Sequence, residues 1–501
     1  MTEATSPGGI GRIIRGYFKE FEVLRDCPRD FWVVQLVNLL DAVAYFAMLT
    51  VATLYLSETL GYSDARAAYI WTACMLVYTG VGFAAGFVGD SLGVKTTLHL
   101  SVVLLVFSRL AIGLTTVKAV VIPALIVISV GSAIMTPILI SATKRYTTAK
   151  SQTAGFNVLY FLMNVGAIGG NAMLDPLRHF SWGNRSTFLL GSGCSILCWA
   201  AILLFMRKRI AAADRSSPQA GSPPPAAKPL AAEAAVTGVG GAAEAAVLDY
   251  ARAVAEPPPP KPEKWEAPWT IAFSVFGETA FWRFMLFLVI LTGVRLVFEH
   301  QSQIYPKYYL RTMGAATPVG LLNAINPFII CFGVIISTPI VAKYKLFNVM
   351  YVGIVCSALS MLFLAINPRW FAGPLGLSLS QGYYVIILLQ IGLFSVGEVI
   401  WSPRLYEYTA AIAPPGREAS YMGLSSLPMF LARLAEGPLA AFVLTRYCPP
   451  DIPERLATVP YSRSPQFMSL ILAALALTTP ILIVLLRPVL HKEGSLRRAA
   501  G

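Results

Sequence analysis

The tenth apolar segment of this chain contains Gly397-Glu398-Val399-Ile400-Trp401-Ser402-Pro403, a carboxylate set inside a run long enough to cross a bilayer. An acidic side chain at bilayer depth costs about 2.5–3.5 kcal/mol on insertion scales, so such groups face a cavity or a partner and carry function. The composition around this run repeats along the chain. Of 501 residues, 56% are hydrophobic and 13% are charged, against about 25% charged in an ordinary soluble domain. Mean hydropathy is +0.64. Apolar stretches of roughly 20 residues, each able to span a hydrocarbon core of about 30 Å, recur near 31–57, 67–90, 94–115, 118–142, 152–175, 186–206, 281–303, 315–342, 347–366, 381–406, 419–445 and 466–487. The expectation is an all-α integral membrane protein with twelve transmembrane helices.

The net charge of +13 invites a nucleic-acid reading, but the basic residues fall in alternate loops. Arg12, Arg15, Lys19, Arg25 and Arg29 precede the first span, Lys144, Arg145 and Lys150 follow the fourth, and Arg207, Lys208 and Arg209 follow the sixth. Lys343 and Lys345 follow the eighth, and Lys492, Arg497 and Arg498 close the chain. That is the positive-inside pattern, with both termini cytoplasmic in a plasma or bacterial inner membrane. Nucleic acid is therefore not an expected partner. The lipid bilayer is. The seven cysteines lie mostly inside apolar runs without metal-like spacing, and read as buried thiols.

Residues 1–30 place apolar and basic positions at helical spacing, which suits an amphipathic cytoplasmic segment. Residues 207–265 are rich in Ala, Pro and Gly and cannot bury a core, so a flexible cytoplasmic linker is expected there. The division is thus a six-helix bundle over 31–206, the linker, a second six-helix bundle over 266–488, and a tail from 489 to 501. Two such halves suggest pseudo-symmetric bundles with a site near the midplane.

Five segments carry a family resemblance. The loop after span two reads Gly86-Phe87-Val88-Gly89-Asp90-Ser91-Leu92-Gly93-Val94-Lys95, which resembles the gating signature of the major facilitator superfamily. Gly86, Asp90, Gly93 and Lys95 are its key positions, and Asp90 would cap the following helix. Tyr160-Phe161-Leu162-Met163-Asn164-Val165-Gly166-Ala167 in span five is similar to a signature of the proton-coupled oligopeptide transporters (the POT/PTR family). Asn326-Pro327 in span eight and the Gly397–Pro403 run in span ten resemble further motifs of that family, as does the looser Phe298-Glu299-His300-Gln301 in span seven. The resemblance covers roughly residues 30–450 and implies a major facilitator fold. It also implies that Glu398, Asn326 and Asn164 hold the amino end of a substrate. Tyr45, Tyr160 and Trp401 would shape the pocket wall, or simply pack.

The chain departs from that family at two related places. In span one the family's Glu-x-x-Glu-Arg run is Asn38-Leu39-Leu40-Asp41-Ala42, and in span four its Lys-Pro is Thr136-Pro137. The cations that would meet a peptide's carboxylate are missing, and an unpaired buried charge is expensive. An amine, a modified peptide or another small polar metabolite is therefore the expected cargo. Proton coupling would run through Glu299, Asp41 or Glu398. Arg295, four residues before Glu299, stands ready for an intrahelical pair that either neutralises both or is contested by substrate.

The expected function is a monomeric secondary active transporter taking up a peptide-like or amine-bearing solute with protons by alternating access. Alternatives are an uncoupled facilitator or exporter on the same fold, or a non-transporting sensor or scaffold. No nucleotide-binding loop, metal-ligand spacing or nucleophile–base arrangement is legible, so no enzyme activity, metal or cofactor is expected.

Overall fold

The structure is a computed structural model, which describes residues 21–148, 151–180, 182–206, 279–341, 344–412, 427–452 and 458–490. Residues 1–20, the whole expected linker (207–265) and residues 491–501 of the tail lie outside these, as do the side chains of Gly86 and Asp90.

Among the described residues there is no strand. In chain order the first half contains α1 (Arg29–Leu54), α2 (Asp64–Leu92), α3 (Val94–Leu114), α4 (Lys118–Arg145), α5 (Gln152–Arg178) and α6 (Arg185–Phe205). The second half contains α7 (Thr279–Ile290), α8 (Thr292–Gln303), α9 (Tyr305–Met313), α10 (Val319–Val341) and α11 (Leu346–Ala365). It continues with α12 (Arg369–Leu375), α13 (Leu379–Ile412), α14 (Leu427–Tyr447) and α15 (Pro465–Leu485). Eight of these helices are individually long and apolar enough to cross a membrane, and α7 with α8 makes a ninth, bent span. With α2, α5 and α10, twelve helical legs result, at the positions the apolar runs mark.

Span seven departs from the sequence expectation. It breaks at Leu291 with a 41° bend. A broken helix in lipid must have its freed backbone groups satisfied, and one hydroxyl does this. Thr479 of α15 accepts from the Val294 amide at 2.9 Å and donates to the Ile290 carbonyl at 2.7 Å. By contrast, the helix over Val319–Val341 runs straight through Asn326-Pro327.

Three contacts set the architecture. Within the first half, α1 lies against α5 at Gly166 and Gly170, where an added Cβ would strike Ala42 and the Val43 carbonyl. Between the halves, α5 packs on α10 and α2 on α14. At Gly320 a Cβ would strike the Asn171 carbonyl, so the α5–α10 contact is backbone against backbone.

The cross-half hydrogen bonds gather from the middle of the molecule towards one end, the end where α2 begins and α5 finishes. There Asp64 accepts from Lys307 at 2.8 Å and from Arg311 at 2.8 and 3.0 Å. Arg311 also donates to the Cys448 carbonyl. The Asp175 carboxylate takes the amides of Gly320 and Leu321, both at 2.9 Å, filling the orphan donors at the start of α10. Further in, Thr53 donates to the Ser302 carbonyl and Gln303 to Thr72. Asn323 donates to Thr50, which donates on to Asn171. This end is sealed.

Burial pushes the Asp64 carboxyl up, but the Arg311 hydrogen bond, with Lys307 beside it, outweighs burial and holds it below the ordinary carboxylate range. Burial likewise pushes the Lys307 ammonium below its usual range, against the pull of Asp64. Arg311 is thus the firmer of the two partners.

Candidate functional site

The middle layer of the molecule holds most of the sequence-predicted site residues. Glu398 on α13 is 6% exposed and accepts from Asn326 Nδ2 of α10 at 3.0 Å. Asn326 also donates to Ser395, one turn before Glu398, at 3.0 Å. Two of the three residues expected to hold an amine are therefore joined. Asn164 is not joined to them by a hydrogen bond; it donates to the Tyr160 carbonyl of its own helix at 3.1 Å. It belongs to a buried stripe, Asn157, Asn164 and Asn171, repeated every seven residues and hence on one face of α5.

The aromatic residues separate. Tyr45 is half-buried and lies against Tyr78, with ring centroids 6.1 Å apart. Tyr160 packs in an apolar cluster with Ile330, Val334 and Val399, tying α5 to α10 and α13. Trp401 is wholly buried and donates to Ser357 at 3.1 Å, so it is a packing residue rather than pocket wall.

The ionic partners differ from the sequence expectation. Glu299 does not pair with Arg295. It accepts from Arg433 of α14 at 3.1 Å, and Arg433 reaches on to Thr79 of α2 at 3.0 Å and over the Tyr78 ring at 5.3 Å. The reason is steric. Arg295 points its guanidinium onto Trp401, 4.6 Å from the ring centroid, and Phe298, at 5.2 Å, which leaves Glu299 to the neighbouring helix. In the same way Glu436 is not bound to Arg433, three residues before it, but to His300 Nδ1 at 2.9 Å, with both side chains buried.

Asp41, a candidate proton carrier, accepts from Arg109 Nη2 at 3.1 Å. Arg109 is 1% exposed and also donates to Ser195 at 2.6 Å. The position where the resemblance expects an arginine, Ala42, is 5% exposed and faces Gly166 across the α1–α5 contact. Thr136, at the place of the expected lysine, lies 3.4 Å from the Tyr78 hydroxyl. Asn38 ties α1 to α5 by donating to the Leu159 carbonyl at 2.6 Å. At the expected gating signature, Gly93 adopts φ 76°, a left-handed value that suits glycine. Lys95 there donates to the Met206 carbonyl.

Sequence reasoning missed Arg433 as the partner of Glu299 and Thr79 as its second contact. The only signal was an arginine in an apolar run, which must find a partner somewhere. No group of three or more His, Cys, Asp or Glu among the described residues could hold a metal ion.

The pattern of the Major Facilitator Superfamily matches residues 34–435. Dipeptide and tripeptide permease B of Xenorhabdus bovienii (strain SS-2004) is 24% identical over 194 residues, which are 37% of this chain and 38% of that protein. The match thus spans less than two fifths of that relative's length. A solved structure concerned with substrate recognition in proton dependent oligopeptide transporters has TM-score 0.63 at 18% identity, covering 93% of this chain and 99% of the other. An auto-inhibited POT family peptide transporter has TM-score 0.64 at 15% identity, covering 91% and 96%. The peptide transporter POT in complex with sulfate has TM-score 0.65 at 14% identity, covering 93% and 95%. At these identities the likeness is one of fold.

Proposed function

The chain belongs to the Major Facilitator Superfamily, and on that premise we propose that it is a secondary active transporter taking up a small amine-bearing or peptide-like solute with protons. The observation that carries this reading is the buried Glu398 carboxylate held by Asn326 at 3.0 Å. One anion with a neutral amide beside it, in a layer where water is scarce, suits an ammonium group. The partial likeness to a dipeptide and tripeptide permease agrees with it. Glu299 is the favoured proton carrier. Its bond to Arg433, which also grips Thr79 of the other half, would link protonation of one carboxylate to the hold between the halves.

The sealed end is read as the outer face, with both termini cytoplasmic in a cell membrane and the monomer as the working unit. Two bundles, 31–206 and 266–488, joined by a cytoplasmic tether, would rock about the middle layer.

A proteoliposome assay tests the proposal. Acidifying the outer compartment should stimulate uptake of amine-bearing solutes, and Glu398→Gln should abolish both uptake and the ligand-induced rise in melting temperature. Uptake indifferent to the pH gradient would favour an uncoupled facilitator or exporter. That second reading draws support from the closed Asp41–Arg109 and Glu299–Arg433 pairs, which also suit a purely structural role.

A further inference from the structure

Among the described residues, four acid–base pairs occupy the middle of the molecule, and one differs from the rest. Asp41 with Arg109, Glu299 with Arg433, and Glu436 with His300 are closed, at 3.1, 3.1 and 2.9 Å. The fourth, Glu398 with Arg295, is open. Glu398 takes its hydrogen bond from Asn326, while the Arg295 guanidinium lies over the rings of Trp401, one turn after Glu398 on α13, and of Phe298. Arg295 is 2% exposed, and its Nη1 is buried without a hydrogen-bond partner. Among the other buried oxygens without a partner are Thr292 Oγ1, one turn before Arg295, and Ser402 Oγ, one turn after Glu398. A buried guanidinium left without an anion is costly, and proteins seldom keep one that nothing fills.

We propose that Glu398 and Arg295 are the two poles of a binding site for a compact zwitterion, a solute carrying its ammonium and carboxylate on the same or neighbouring carbon atoms. This rests on the amine site of the proposed function and names its substrate class. A simple amine would satisfy Glu398 and leave Arg295 unfilled; a simple anion would do the reverse. An extended peptide carries its carboxylate at least one residue further from its ammonium than a compact zwitterion does. A compact zwitterion fills both poles with no change in net charge. The pair stays open because the aromatic faces hold the guanidinium off Glu398, a role suited to cation–π contact away from water.

Binding to the purified full-length protein tests this, with alanine, alaninamide, N-acetylalanine and dialanine as probes. Alanine should bind, and blocking either end, or extending to dialanine, should weaken binding at least tenfold. In Arg295→Met, alanine and alaninamide should bind equally, and the ligand-free protein should melt no lower than wild type, because a buried unpaired charge has gone. Arg295→Lys should keep part of the preference for alanine. A clearly lower melting temperature in Arg295→Met with the alanine preference intact would make Arg295 structural and overturn the proposal, as would dialanine binding wild type as tightly as alanine. If alaninamide binds wild type as tightly as alanine and is lost in Glu398→Gln, the amine site stands and the zwitterion site falls. If no probe binds wild type, both fall.

Discussion

The two halves of the middle layer handle charge in opposite ways. In the first half, the buried pair Asp41–Arg109 is internal: it joins α1 to α3 and adds Ser195 of α6. The helices around it meet through glycine and alanine, as at Gly166 and Ala42. In the second half, charged groups on α8 are answered by α14, and Arg433 continues across to Thr79 of the first half. The first half is thus built as a body, whereas the second reaches out to hold it. An alanine at the place where the resemblance expects an arginine makes sense in these terms, since Ala42 sits where two backbones meet and has no room for a longer side chain.

The largest expected effect separates the two kinds of pair. Asp41→Ala strands a buried guanidinium and should cost about 3–5 kcal/mol of stability, read by thermal unfolding in detergent. Glu299→Ala should cost less stability but shift the balance between sealed and unsealed states, read by spectroscopic distances between labels on the two halves. If the two variants behave alike, the contrast is wrong.

Next comes packing. Ala42→Arg overfills the α1–α5 contact and should cost about 1–3 kcal/mol without gaining recognition of a carboxylate; a well-folded variant that gained it would move the site into the first half. In the second half, Thr479→Val removes the hydroxyl that serves the break in span seven. It should cost about 1–3 kcal/mol through the stranded Val294 amide, measured by the same unfolding assay.

The smallest effect concerns pH. With the Asp64 carboxyl held below its ordinary range in the sealed state, its contribution to sealing is complete above that range and is lost only as pH falls through the lowered value. Acidification from pH 8 to pH 5 therefore leaves it charged. Asp64→Asn should raise labelling of a cysteine placed behind the seal at every pH, while the pH midpoint of uptake stays where it was. A displaced midpoint would put Asp64 in the coupling machinery.

The positions of the spans were legible because twenty apolar residues in a row have few other destinies. Glu398 and Asn326 were legible through their motifs as candidate site residues, but the hydrogen bond that joins them comes from the packing of α10 against α13. The break at Leu291 was not, since Ile290-Leu291-Thr292-Gly293 reads as continuous apolar helix until Thr479, far along the chain, is brought to it. Nor were the partners of Glu299 and His300. Local spacing offered Arg295 to Glu299, and only tertiary packing, with Arg295 drawn under Trp401, frees Glu299 for Arg433. Arg109 illustrates the same limit, because nothing near it in sequence announces Asp41.

The cross-helix pairing of α8 with α14 also imposes an order on biogenesis. Glu299 and Arg433 are 134 residues apart, and His300 and Glu436 are 136 apart. At a ribosome's pace of about 5–20 residues per second, the acid and the histidine wait roughly 7–27 s for their partners to be made. Span seven, with Arg295, Glu299 and His300 on a short bent helix, is thus a poor substrate for one-by-one release into lipid. It must be retained at the insertion machinery, or shielded by a chaperone in the membrane, until span eleven arrives.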